Sequence, residues 1–142
     1  MPRYFEDLEV GDGFETPGRT ITEADVVSFA SISGDQEALD FTRSEPYLPP
    51  MVPELLVMTI TSGLGFRAPA EMPQVLAFMV FDLNIGLPVR VGDTIRCRIR
   101  VAGMRPMKDG GVVVEQRQMV NQRGDVVQEA EYKLLVARRP RE

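Results

Sequence analysis

The chain has 142 residues, of which 44% are hydrophobic and 26% charged, and its net charge is −5. That length and composition fit one globular domain with a real core and exclude a disordered chain. The acidic balance, relieved only by Arg138-Arg139-Pro140-Arg141, argues against nucleic acid as the partner.

Residues 4–10 read as an entry segment that ends in the Gly11-Asp12-Gly13 turn. A short strand over 14–19 follows, interrupted by Pro17-Gly18. Thr22 then opens a helix: its hydroxyl can cap the first turn, where Glu23 and Asp25 suit the helix dipole. Val26, Val27, Phe29, Ala30 and Ile32 form the apolar side, and Gly34 is placed to end it. Residues 35–50 make a polar, proline-bearing loop of a length that in compact domains often carries function.

The stretch 49–68, PPMVPELLVMTITSGLGFRA, predicts the helix around Pro53 to Gly65 on which the rest is organised. Prolines bunch at its start, where a missing N–H costs nothing. Met51, Val52, Leu55, Leu56, Val57, Met58, Ile60, Leu64 and Phe66 cover every face, so burial on all sides is expected. The run is shorter than the about 20 apolar residues a membrane span asks for.

Residues 71–73 make a second break. A strand over 75–89 is apolar on both faces at first, as at a sheet centre or a subunit contact, and Pro88 ends it. After the Gly92-Asp93 turn, residues 94–101 alternate cleanly: Ile95, Cys97, Ile99 and Val101 one way, Arg96, Arg98 and Arg100 the other. A loop over 104–111, a return strand over 112–120, the NQRGD hairpin turn at 121–125 and a last strand over 126–138 complete the chain. In that last strand Ala130, Tyr132, Leu134 and Val136 share one face and Glu129, Glu131 and Lys133 the other. The arginines of 94–101 are expected to pair across strands with Glu115, Glu129 and Glu131. An α+β architecture follows, an antiparallel sheet wrapped around a central buried helix, with residues 1–142 as one domain.

Two counts narrow the chemistry. The single Cys97 rules out an intrachain disulfide framework and reads as a buried small apolar residue. No histidine occurs in the chain, which excludes a histidine general base, a Ser-His-Asp triad, a Cys-His pair and a His-ligated metal. Chemistry must run on carboxylates, hydroxyls, backbone amides and water. The N-terminus, MPRYFEDLEV, has no charged-then-apolar signal pattern, and a cytoplasmic location is expected.

Four stretches, in order and spacing, carry a family resemblance: YFEDLEVGD at 4–12, TITEADVVSFASISGD at 20–35, PMV…LL…SGL at 50–64 and LPVRVGDTI at 87–95. Together they resemble the MaoC-like dehydratases, the (R)-specific enoyl-CoA hydratase branch of the hot-dog fold. The family loop pattern is Gly/Glu-Asp-x-Asn-Pro-x-His; this chain reads Gly34-Asp35-Gln36-Glu37-Ala38-Leu39-Asp40. Asp35 matches the family's catalytic aspartate and Asp40 stands in the place of its histidine. At the helix entry, Pro53 replaces a second histidine and Glu54 replaces the glycine whose N–H faces the thioester oxygen. Ser62 matches a family serine at the site. The resemblance implies a dimeric subunit that binds acyl-CoA; residues 75–81, apolar on both faces, point to a homodimer or dimer of dimers, and the expected ligand is an acyl thioester of CoA or of an acyl carrier, with no cofactor or metal.

Three readings remain open. Asp35 and Asp40 share a proton and act as base and acid in hydration of a 2-enoyl thioester or its reverse. Glu54 attacks the thioester or activates water, as in some hot-dog thioesterases. Or the subunit binds acyl-CoA, or partners a catalytic homologue, without turnover. Leu55 and Ser62 are assigned to substrate, and Arg67 to a CoA phosphate. The plainer roles are an Asx cap for Asp35, ordinary polar positions for Asp40 and Glu54, and back-bonding to the helix for Thr59, Thr61 and Ser62. Arg67 is then solvated, and Met51, Met58, Met72 and Met79 fill core gaps.

Overall fold

Thr22 does what its position predicts. Its Oγ1 accepts the Asp25 N–H at 3.3 Å, and the Asp25 carboxylate accepts the Thr22 N–H at 2.9 Å, a reciprocal cap on α1 (Glu23–Ser33). Partial burial works to raise the Asp25 pKa, but the hydrogen bonds from Thr22 and the Arg19 guanidinium outweigh it and hold the carboxyl below its ordinary 3.8. Gly34 ends α1 in the left-handed region, at φ 75°. Val26 and Ala30, one turn apart, are buried, Phe29 is half-buried, and Val27 and Ile32 face outward, so the apolar side is narrower than the sequence implied.

The computed structural model describes residues 2–39, 47–68 and 71–141. Around α1 lie β1 (Gly13–Glu15), β2 (Arg19–Thr20), α2 (Glu54–Leu64), β3 (Val75–Ile85), β4 (Thr94–Met107), β5 (Gly110–Val120) and β6 (Val126–Val136). All strand pairings are antiparallel, in the order β1-β4-β5-β6-β3, and β2 continues along the edge of β4 that β1 occupies. The predicted strand over 14–19 is thus two short ones on either side of Pro17-Gly18.

The sheet buries one face, and α2 lies on it. Leu56, Val57, Ile60 and Leu64 pack into a core with Ile95, Val101, Val113, Met119, Tyr132 and Leu134. The alternation expected in β4 and β6 holds: Ile95, Cys97, Ile99 and Val101 are buried, as are Ala130, Tyr132, Leu134 and Val136. Each isoleucine, valine or leucine among these contributes about 1.5–3 kcal/mol on burial. Burial of α2 on all sides does not hold within this chain. Leu55 is 59% exposed and Thr59 and Gly63 are also open, because the sheet covers one side of the helix only. Met58 packs against the core, whereas Met51 and Met79 are about half exposed and are not core residues.

Two other expectations are corrected. Residues 104–111 are not a loop: a bulge between Val101 and Gly103 shifts register, and β4 continues to Met107 before a tight turn into β5. The glycines there are packing glycines. A Cβ on Gly110 would lie 2.7 Å from the Val136 carbonyl oxygen, and one on Gly111 would lie 2.1 Å from the Phe5 ring. The expected pairing of β4 arginines with Glu115 fails on parity, because Glu115 stands opposite Val101 and faces the core. Arg96 and Arg98 turn instead to Glu15 on β1.

Glu115 takes Arg117, two residues on along the same inward face. Nε and Nη2 of Arg117 donate to one carboxylate oxygen at 3.0 and 2.8 Å, and both side chains are 5% exposed. The guanidinium lies 4.0 Å from the centre of the Tyr132 ring. Cys97, on β4, is also fully buried on this side, and burial pushes its thiol from 9.0 up to about 11.

Replacing Arg117 by Met leaves Glu115 buried without its cation and should cost about 3–5 kcal/mol in urea unfolding. The double change E115L/R117M should restore most of that loss, since the charge and its partner leave together. Cys97 should resist thiol reagents in the native protein and react once urea unfolds it. Because the folded thiol titrates higher than the unfolded one, its contribution is constant below 9.0 and is lost as pH rises toward 11. Cys97→Ala should flatten that part of the stability profile.

Candidate active site

The loop after α1 carries the first candidate. Asp35 is exposed. Its N–H donates to Ser33 Oγ at 3.1 Å, and its Oδ1 accepts the Ala38 N–H at 3.3 Å, capping the 3-10 turn Gln36–Leu39. Asp40, its expected partner, lies outside the described residues.

The entry to α2 is held on the sheet side. The Val52 N–H donates to the Val89 carbonyl at 2.7 Å, the Val91 N–H to the Pro50 carbonyl at 2.9 Å, and Arg90 Nη1 to the Pro49 carbonyl at 2.9 Å. Pro53 is the N-cap and has no side-chain acceptor to offer. The Leu56 and Val57 amides both turn back to the Pro53 carbonyl, at 3.0 and 3.3 Å. The Glu54 and Leu55 amides therefore stand at the open, positive end of the helix dipole. The Glu54 and Leu55 side chains are exposed beside them.

Beneath this end lies a residue that sequence reasoning missed. Gln128, on β6, is 2% exposed; its Nε2 donates to the Glu54 carbonyl at 2.9 Å, and its Oε1 has no partner among the described residues. The signal was parity. Gln128 shares the inward face with Ala130, Tyr132 and Leu134, as Glu115 and Arg117 share it with Val113 and Met119.

Ser62 is half-buried near the Tyr132 hydroxyl, which reaches Met58 Sδ at 3.8 Å. Phe78 of β3 meets the Tyr132 ring edge-on at 5.0 Å. Burial raises the Tyr132 pKa against the pull of Arg117 and Ser62, so the hydroxyl is a neutral neighbour of the serine. Thr59 and Thr61 do bond back to the helix, to the Leu55 carbonyl at 2.7 Å and the Val57 carbonyl at 3.0 Å.

A cleft of about 470 Å³ runs between α1 and the outer side of α2, lined among others by Phe29, Ile32, Thr59 and Gly63, with Arg67 and the Arg19–Asp25 ion pair contributing charge. Of the predicted site residues it includes Arg67. Leu55, Glu54, Gln128 and Ser62 belong to α2 and the sheet beneath it, and Asp35 to the loop after α1. Among the described residues no cluster of histidine, cysteine or acidic side chains could hold a metal, and no helix is long and apolar enough to cross a membrane.

No family model matches the chain. It is 33% identical over 108 residues to the 3-hydroxybutyryl-CoA dehydratase of Methylorubrum extorquens, covering 72% of this chain and 66% of that protein. It also matches protein MaoC of Klebsiella aerogenes, 32% identical over 101 residues, 68% of this chain and 30% of that protein. The chain thus spans two thirds or less of the length of these curated relatives. Among solved structures, an Archaeoglobus monoamine oxidase regulatory protein superposes with a TM-score of 0.87 at 30% identity, covering 98% of this chain and 97% of that one. A MaoC-like dehydratase from Rhodospirillum rubrum does so with a TM-score of 0.82 at 27% identity, over 98% and 99%. With these similarities along the strand order and helices described above, the chain belongs to the MaoC-like dehydratase family of the hot-dog fold.

Proposed function

We propose that this chain is a hydro-lyase acting on the 2-enoyl/3-hydroxyacyl pair of an acyl thioester, of CoA or of an acyl carrier. The observation that carries the reading is the uncapped N-terminus of α2. An enolate-like thioester oxygen gathers negative charge as water adds, and the amides of Glu54 and Leu55 offer it two donors at a positive helix end. The dehydratase and hydratase names of the relatives support the same chemistry.

In the hydration direction Asp35 takes a proton from water as the oxygen bonds to C3. The double-bond electrons move toward the thioester carbonyl, and Asp40 delivers a proton to C2. Exchange with solvent then returns both carboxyls to their starting states. Ser62, beside Tyr132, and Leu55 hold the acyl portion, while Arg67 meets a phosphate of the carrier.

A second reading has its own observation. The Asp35 carboxylate already caps the turn at Ala38, which suits a subunit that binds acyl-CoA, or partners a catalytic homologue, without turnover.

We also place a second copy of the chain along β3. This strand is exposed at every residue but Leu83, and Leu76, Phe78, Met79, Val80 and Phe81 are each 44–55% exposed on a free sheet edge. An apolar edge of this kind needs a partner strand.

With crotonyl-CoA and a longer enoyl-CoA, the conjugated absorbance should fall without release of free thiol. Asp35→Asn and Asp40→Asn should each slow this by about 100-fold or more. Thiol release lost in Glu54→Gln would replace this reading with a thioesterase. Thermal stabilisation by acyl-CoA with neither signal would establish the binding subunit. In light scattering, the double change L76K/M79K should halve the particle mass while the far-ultraviolet spectrum stays unchanged.

A further inference from the structure

The outer face of the sheet carries a pattern of charge that the proposed reaction does not use. In register, Arg98 of β4 stands beside Gln118 of β5, which stands beside Glu129 of β6. Two residues along, Arg100, Gln116 and Glu131 form the same row. The face therefore reads as a basic stripe and an acidic stripe separated by a strand of glutamines. The stripes are two strands apart, roughly 10 Å, with the glutamines of β5 between them. Among the described residues Arg100, Glu129 and Glu131 form no ion pair, Glu129 accepts from Gln118 at 3.0 Å, and Arg98 reaches Glu15 only at 3.7 Å.

We infer that this face docks onto the same face of a second copy of the chain, about a two-fold axis parallel to β5. That axis carries β4 of one copy over β6 of the other and leaves β5 over β5. Each row then meets its own copy reversed: Arg98 over Glu129, Arg100 over Glu131, Gln116 and Gln118 over themselves. Four Arg–Glu pairs form from one self-complementary pattern, as a two-fold interface requires.

The flanking charges agree. Glu15, beside Arg98 in the first row, falls over Asn84, which neighbours Glu129 on β3. Asp82, beside Glu131, falls over Gly13, which neighbours Arg100. Lys133 falls over Gly103, both being opposite Val114. No like charges meet. The other in-plane two-fold axis, across the strands, would lay arginine on arginine and glutamate on glutamate. A depression of about 420 Å³ between the stripes, floored by Gln116 and Gln118, gives the partner's glutamines room. This surface is separate from the β3 edge, so the two contacts together build a dimer of dimers.

The test is the particle mass of the full chain by light scattering, at low and high salt. The parent should show twice the mass of R98E/R100E and twice that of E129R/E131R at low salt, and salt should shift it toward the smaller species. Mixed in equal amounts, the two variants should return to the parent mass, since the acidic β4 of one then faces the basic β6 of the other. The quadruple swap R98E/R100E/E129R/E131R should assemble by itself, and R98Q/R100Q gives the halving without new repulsion. Because L76K/M79K acts on β3 alone, its halving is independent of these. One mass for parent and both reversals would overturn the inference, as would a mixture that stays dissociated.

Discussion

Two full charges lie under the C-terminal end of α2, and the arrangement of the inner sheet face follows from keeping them paired. Each ion costs several kcal/mol to remove from water, and only close geometry offsets that. Arg117 obtains it from three directions. Glu115 accepts two hydrogen bonds, the Tyr132 ring lies under the guanidinium at 4.0 Å, and Nη1 is 3.5 Å from where a Cβ on Gly65 would stand. The last contact puts the cation at the negative end of the helix dipole. Tyr132 is itself held by Phe78 and by Phe81, at 5.0 and 6.3 Å. A line of contact thus runs from the edge strand through β6 and β5 to α2. The β3 edge and the buried ion pair are thus joined through one tyrosine ring.

Much of this fold was legible because its signals are local. The Thr22 cap, the Gly34 stop and the alternation of residues 94–101 and 126–136 each rest on a few neighbouring residues, and each appears as read. What was not legible depends on pairing. Gly103 and Pro106 look like loop residues, but the bulge at Val101/Gly103 absorbs the irregularity and β5 keeps β4 extended. The roundly apolar residues 51–66 imply burial on all sides, yet one chain supplies only one wall. A sequence that is apolar all round does not say how many chains share in covering it.

The candidate site was legible in part for a related reason. Asp35, Glu54 and Ser62 could be named because they occupy positions in recognisable stretches. Gln128, Glu115 and Arg117 could not, because polar residues in a strand suggest its wet face. Only the inward parity of Gln128 with Ala130, or of Arg117 with Met119, marks them as buried polar groups with partners to find. Counting parity from Met119 in one strand and from Ala130 and Leu134 in the other would have found them.

Pro53 has a consequence for the evolution of this chain. A serine or aspartate at that position would accept an amide hydrogen bond, and such a cap is worth about 0.5–2 kcal/mol over a residue that cannot supply it. Against that, a proline at its unstrained φ of −55° restricts the unfolded chain, a gain of about 0.4–1 kcal/mol, so a cap at position 53 would change durability little. The same oxygen atom would occupy the amides of the first turn and compete with any ligand for them. Proline here keeps a polar corner unfilled at little cost in stability, an arrangement that a capping hydroxyl or carboxylate would end.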